Sequence, residues 1–125
     1  MAKDKYNPLF FTWDEFDCPS LPGSGVNMEI EFVKLLDELR ANFGKPIKIN
    51  SGFRTMEHNA TLKNSSPNSS HLKGLAVDIH CNNSIDRFEL IKCAMKLNIN
   101  RIGISSTFLH IDIDTSKPKN VAWIY

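Results

Sequence analysis

Two segments of the sequence decide the fold, LAVDIHC at residues 75–81 and FLHIDID at residues 108–114. In each segment apolar and polar residues alternate, which is the pattern of a strand with one buried and one polar face. The first segment places Asp78 on its polar face, and the second places His110 and Asp112 there. Together they predict two strands that present carboxylate and imidazole groups on one side of a sheet.

The segments around these two strands favour an α+β fold. Apolar spacing and strand propensity predict helices over about residues 27–43, 55–63 and 84–97, and further strands over residues 46–53 and 101–106. The order of these elements shows no regular βαβ alternation, which argues against a doubly wound sheet. We therefore expect a single α+β domain over residues 1–125.

Apolar side chains near the N-terminus and in the last predicted helix are expected to fill the core. From the N-terminal arm we assign Phe10, Phe11, Trp13 and Phe16 to it. From the predicted helix over residues 84–97 we assign Phe88, Ile91, Ala94 and Met95, which follow helical spacing.

Net charge, apolar segment length and cysteine spacing exclude several classes of binding partner and site. The chain has 15 Lys and Arg against 14 Asp and Glu, so it lacks the single-sign field that would hold nucleic acid or an anionic membrane. No apolar segment is long enough for a signal peptide or a membrane span, and we expect synthesis as a soluble, cytoplasmic monomer. Cys18, Cys81 and Cys93 lack metal-ligand spacing and are expected to be buried free thiols.

Three residues form a candidate metal site. His71 follows a polar loop at residues 64–70, and Asp78 and His110 lie on the two polar strand faces. Three such ligands suit a catalytic zinc, because they leave a fourth position for a water whose pKa falls to about 7. Any one of them taken alone could equally be an ordinary hydrogen-bonded polar residue.

Three motifs carry a resemblance to a known family. SGFRT at residues 51–55, SSHLKGLAVDI at residues 69–79 and LHID at residues 109–112 resemble the zinc D-Ala-D-Ala carboxypeptidases, a family that includes phage endolysin L-alanyl-D-glutamate peptidases. The resemblance extends over about residues 27–114, with the motifs in family order. It implies a hedgehog/DD-peptidase-like fold, in which helices pack on an antiparallel sheet. It also implies zinc as cofactor and peptidoglycan stem peptides as substrate.

The resemblance also implies roles for single residues. It makes His71, Asp78 and His110 the zinc ligands, and it places Arg54 near the substrate. A guanidinium there suits a carboxylate or a polarised carbonyl, although Arg54 could instead tie a helix start to the loop. Two further residues are weaker candidates for substrate contact, namely Ser70, which could instead cap a turn, and His80, which could instead face solvent.

The sequence departs from the family at the position of the general base. Many relatives carry Glu or Asp three residues before the last histidine, and here that position is Thr107, which cannot accept a proton from water. Asp112 is the expected replacement, because it shares a strand face with His110. Its alternative role is to orient His110 or Arg54. The other candidates are Glu57, His58 and His80.

These features favour a zinc metallopeptidase that cleaves stem peptides containing D-amino acids, as a carboxypeptidase or an endopeptidase. A phage lysis or virion-associated role fits this activity. One alternative is a zinc-binding module of the same fold that does not hydrolyse peptides, supported by Thr107. Another is an iron(II) facial triad, which would need a further histidine after His110, and none follows.

Overall fold

The computed structural model describes residues 6–63 and 65–125. Its helices are α1 (Ile30–Phe43), α2 (Met56–Thr61) and α3 (Ser84–Lys96), and its strands are β1 (Ile49–Ser51), β2 (Ala76–His80), β3 (Arg101–Ile104), β4 (Phe108–Asp112) and β5 (Val121–Ile124). Short 3-10 turns cover Trp13–Phe16, Ser24–Asn27 and Ser70–Lys73. The α+β class expected from the sequence is confirmed.

The five strands form one sheet in the order β1-β2-β4-β3-β5. All neighbouring pairs are antiparallel except β3 and β5, which run parallel. The sequence predicted the first four strands and an antiparallel sheet but missed β5. This last strand follows a turn-rich loop, and its position is decided by pairing with β3 rather than by local sequence.

The core lies between one face of the sheet and the helices. The buried face of the two central strands carries Val77, Ile79, Leu109 and Ile111, and α1 contributes Phe32, Val33, Leu36 and Leu39. Burial of such aliphatic and aromatic side chains stabilises the fold by about 1.5–3 kcal/mol each. The opposite face of β2 and β4 is left for polar side chains, as the alternation predicted.

Three residues expected in the core are exposed instead. Phe88 and Met95 are 65% and 64% exposed, because α3 turns Leu90, Cys93 and Ala94 toward the core. The α3 sequence carries two overlapping apolar stripes, and only packing against α1 and the sheet selects one. Phe10 is 45% exposed and lies under the guanidinium group of Arg40, 4.7 Å from its ring centre.

Gly74 sets the direction in which the chain enters β2. Its φ is +70°, and a Cβ at this position would lie 2.4 Å from the carbonyl oxygen of Asn27. The carbonyl of Gly74 accepts a hydrogen bond from the backbone N–H of Glu29 at 3.0 Å. A residue with a side chain would be strained here in both conformation and space, so only glycine fits.

Cys18, Cys81 and Cys93 are buried and unpaired, as expected from the sequence. None of the helices in the described part of the chain combines the length and the apolarity needed to cross a membrane.

Candidate metal centre

One row of residues across the sheet carries the centre of the site. Ser51 pairs with Asp78, Asp78 with His110, His110 with Gly103, and Gly103 with Trp123, so that all five strands contribute to the row. The pairing of β2 with β4 places the Asp78 carboxylate beside the His110 imidazole. This register follows from burying the apolar residues of both strands on the other face, because a slip by one residue would invert every side chain.

His71 reaches this row from the 3-10 turn before β2. One ligand atom from each of His71, Asp78 and His110 lies within 4.8 Å of the other two. The structure therefore brings together the three residues that the sequence proposed as ligands.

The His71 imidazole is held in one orientation. Its Nδ1 lies 2.8 Å from the carbonyl oxygen of Gly52, which can only accept, so Nδ1 carries the proton. Its Nε2 is buried, makes no hydrogen bond and lies 3.4 Å from Asp78 Oδ1. Burial lowers the pKa of His71, which keeps the ring neutral. The result is an unused nitrogen lone pair directed at a carboxylate.

The His110 imidazole lies between two carboxylates. Its Nδ1 is 2.9 Å from Asp78 Oδ1, and its Nε2 is 2.7 Å from Asp112 Oδ2. Burial alone would lower the pKa of His110, but the hydrogen bonds with Asp112 and Asp78 outweigh burial and raise it. Burial would likewise raise the pKa of Asp78, but its contacts with His110 and His71 hold it well below the usual range.

Arg54 contacts the second oxygen of the Asp78 carboxylate. Its Nη2 lies 3.3 Å from Asp78 Oδ2, while its Nε donates to Ser51 Oγ at 3.1 Å and its Nη1 to Asn59 Oδ1 at 3.2 Å. The backbone N–H of Arg54 also donates to the carbonyl of His71. Arg54 thus orients a candidate ligand and ties β1 to the turn that carries His71, in addition to lining the cleft.

Asp112 is deeply buried, with 1% of its surface exposed. Its Oδ2 contacts His110, and its Oδ1 accepts from Arg101 Nε at 2.7 Å and from the backbone N–H of Asp114 at 3.1 Å. Burial opposes the charge, but the hydrogen bond with His110 is among the contacts that lower the pKa of Asp112. Both carboxylate oxygens are therefore engaged within the protein.

Ser70 is buried and belongs to the lining of the cleft that lies over the candidate ligands, so the substrate contact suggested by the sequence stays a prediction. Its hydroxyl donates to Asp114 Oδ2 at 2.8 Å and accepts from Lys117 Nζ at 3.0 Å. These contacts join the turn that carries His71 to the chain just beyond β4.

A cleft of about 570 Å³ lies over the three candidate ligands. Arg54, Lys63 and Lys117 contribute positive charge to its lining, and Trp123 and Tyr125 contribute an aromatic wall. Among the described residues, the carboxylates that line the cleft are those of Asp78 and Asp112. The other residues considered as bases or substrate contacts, namely Glu57, His58 and His80, are not part of this lining, and neither is Thr107.

Comparison with known protein families shows which family the chain belongs to, as the three sequence motifs suggested. A family model described as Peptidase M15 matches residues 10–114. The chain belongs to the peptidase M15 family. A comparison with curated proteins finds no match.

The donor set of this M15 peptidase fits the metal that its family uses. M15 enzymes are zinc metallopeptidases, and two imidazoles with one carboxylate are ligands that a catalytic zinc prefers. Each imidazole nitrogen that faces away from the cluster is hydrogen-bonded, to Gly52 for His71 and to Asp112 for His110. Such outer contacts fix the tautomer and orientation of a metal ligand. Family membership also argues against the iron oxygenase alternative.

Sequence reasoning missed several residues that line the M15 site, namely Lys63 and Lys117 and the three residues described next. Arg101 faces Asp112 across the β3–β4 pairing, and Trp123 and Tyr125 come from the unpredicted strand β5 and its end. The only sequence signal for the two aromatic residues was the apolar segment VAWIY at residues 121–125. For Arg101 the signal was a charged residue at the start of a predicted strand.

Proposed function

We propose that this chain is a zinc-dependent metallopeptidase that hydrolyses stem peptides of peptidoglycan containing D-amino acids. The observation that carries the proposal is the buried cluster of His71, Asp78 and His110, with its unused Nε2 on His71, in a member of a peptidase family. Zinc held by these residues would polarise a peptide carbonyl and lower the pKa of a water molecule.

Two residues around the proposed ligands have roles in orienting them or in binding the substrate. Arg54 holds Asp78 through its Nη2 and lines the cleft, where its guanidinium group can contact a substrate carbonyl or carboxylate. We infer that Asp112 acts as a positioning residue for His110, because both of its oxygens already accept hydrogen bonds inside the protein. This assigns Asp112 the second of the two roles that the sequence allowed.

The substrate class is supported by the sequence resemblance to cell-wall peptidases and by the charge of the cleft. Arg54, Lys63 and Lys117 line it, and stem peptides carry carboxylates that such cations attract. A role in phage lysis or in a virion belongs to the same proposal and rests on the resemblance to endolysins.

Digestion of purified sacculi tests the proposal. Zinc-loaded protein should release peptide fragments whose masses identify the bond cleaved, either a terminal D-alanine or a bond within the stem. The matched control is Asp78→Ala, which should release nothing, because the cluster loses its carboxylate ligand. Zinc-loaded wild-type protein that releases no fragment from sacculi of several wall types would refute the peptidase.

A second candidate function is a zinc-binding module that does not hydrolyse peptides. It is favoured by Thr107 at the position of the family acid and by the engagement of both Asp112 oxygens. Stable zinc binding by wild-type protein, together with sacculus binding but no fragment release, is the result expected from this alternative.

A further inference from the structure

The cleft has two chemically different ends along β4. His110 lies at the middle of this strand, with Phe108 and Asp112 two residues away on either side. Residues two apart on one strand face are separated by roughly 7 Å, so the two ends lie roughly 14 Å apart. An extended peptide of about four residues spans that length.

One end is aromatic. The Tyr125 ring packs on Phe108 with a centroid distance of 4.9 Å, and the Trp123 ring lies 5.4 Å from the His110 ring. Gly103 makes this possible, because a Cβ there would lie 2.6 Å from Trp123 Nε1 and 2.7 Å from the Tyr125 ring. This end offers apolar surface to a substrate.

The other end has an excess of positive charge. Asp114 is 2% exposed, and two ammonium groups approach its Oδ2, Lys73 Nζ at 3.1 Å and Lys117 Nζ at 3.9 Å. One carboxylate can neutralise only one of these lysines. In the part of the chain that the structure describes, no other carboxylate lies within 4.0 Å of either ammonium group.

Lys117 is the member of this pair that lines the cleft. Lys73 does not line it and instead donates to Ser116 Oγ at 2.8 Å. The two arginines of the lining are compensated by carboxylates, Arg54 by Asp78 and Arg101 by Asp112. The charge at Lys117 is therefore available for a ligand.

We propose that Lys117 anchors a carboxylate of the substrate, and that the cleft binds its peptide in one direction, with an apolar portion against Tyr125 and Phe108. This inference rests on the proposed peptidase function and specifies its substrate. A stem peptide offers two carboxylates, the C-terminal one and the α-carboxylate of D-glutamate. Both present the same chemistry to an ammonium group.

The test uses the stem peptide L-Ala-γ-D-Glu-L-Lys-D-Ala-D-Ala and two versions with one carboxylate amidated, either at the C-terminus or at D-glutamate. Binding to zinc-loaded protein is measured by calorimetry, and turnover is measured by mass spectrometry. Lys117→Met should weaken binding and raise KM for the free acid by about 10-fold, the scale of one hydrogen bond to a charged group. Its kcat and zinc content should match wild type.

The amidated peptides identify which carboxylate is anchored. Wild-type protein should lose about 10-fold in affinity for one amide, and Lys117→Met should bind that amide and the free acid equally well. Lys119→Met is the matched control, since Lys119 is exposed, is not part of the cleft lining and leaves both lysines at Asp114 in place, and it should behave as wild type. If Lys117→Met does not fold, Lys117→Gln keeps a donor to Ser70 and provides the same comparison.

Three outcomes overturn the anchor while leaving the peptidase intact. They are an equal loss in Lys117→Met and Lys119→Met, equal binding of the free acid and the amides by wild type, and a loss that appears in Lys63→Met instead. Wild-type protein that binds and cleaves none of the three peptides or sacculi refutes the proposed function itself and the anchor with it.

Discussion

Replacing Asp112 with Asn distinguishes two roles of Asp112, that of a catalytic base and that of a residue that positions His110. The carboxylate of Asp112 uses one oxygen for His110 Nε2 and the other for Arg101 and the backbone N–H of Asp114. An amide has only one acceptor oxygen. If its NH₂ faces His110, it must donate to Nε2, which moves the imidazole proton to Nδ1, the nitrogen that faces Asp78.

These contacts allow the losses in zinc affinity and in stability to be estimated. Loss of the partner that orients a metal-binding imidazole weakens metal affinity by about 10-fold to 100-fold. Loss of one member of a buried ion pair costs about 3–5 kcal/mol, and Arg101 would be left with the carbonyl of Pro118 and a neutral amide. We therefore expect Asp112→Asn to bind zinc more weakly, to unfold more easily and to recover most of its turnover when zinc is saturating.

The assay is a titration of zinc against a chelator of known affinity, followed by turnover of a stem peptide at increasing free zinc. Asp37→Asn is the control for a general loss of stability. Asp37 is buried on α1 and accepts hydrogen bonds from Tyr6 and from the backbone N–H groups of Leu9 and Phe10. Its replacement should lower the free energy of unfolding but leave zinc affinity unchanged.

The opposite result would refute the reasoning. A base contributes about 10²-fold to 10⁴-fold to the rate. If Asp112→Asn binds zinc as tightly as wild type and its turnover stays that far below wild type at saturating zinc, then Asp112 takes the proton itself.

Three further predictions address the ligands, the aromatic wall and pH. Asp78→Ala should abolish stable zinc binding, and full zinc content by metal analysis would reject the site. Gly103→Ala should displace the Trp123 indole, lower the free energy of unfolding by about 1–3 kcal/mol and change the near-UV circular dichroism, whereas an unchanged spectrum would contradict the packing. Because the pKa of His110 is raised above 6.5, its charged form stabilises the metal-free fold below pH 6.5, and this contribution is lost as pH rises through the raised pKa. Zinc binds only the neutral His110 imidazole, so zinc affinity should decrease as the pH is lowered, and the decrease should start while the pH is still above 6.5. Competition with a chelator measures this affinity, and a zinc affinity that stays constant down to pH 6 would contradict the raised pKa.

Much of the fold could be predicted because its signals are local. Alternation over residues 75–81 and 108–114 defined which faces of β2 and β4 are polar, and the apolar spacing before Gly44 defined α1. The boundaries shifted by a few residues. Ser24–Asn27 forms a 3-10 turn ahead of α1, and only Ile49–Ser51 of the segment at 46–53 pairs as a strand.

The candidate ligands could also be found from sequence, since their spacing and residue types are those of a family motif. The partners that orient them could not. Gly52 contacts His71 through a backbone carbonyl, which any residue type possesses. Arg101 meets Asp112 only because β3 pairs with β4 in one register.

The sequence by itself determined the α+β class, the polar strand faces and the three residues that could bind a metal, because periodicity and motif spacing act along the chain. Only the tertiary structure decided that β5 lies parallel to β3, that α3 buries Leu90 rather than Phe88, and that both oxygens of Asp112 are engaged. The physical reason is that strand pairing, helix rotation and buried ion pairs depend on the packing free energy of segments far apart in sequence, which local patterns do not contain.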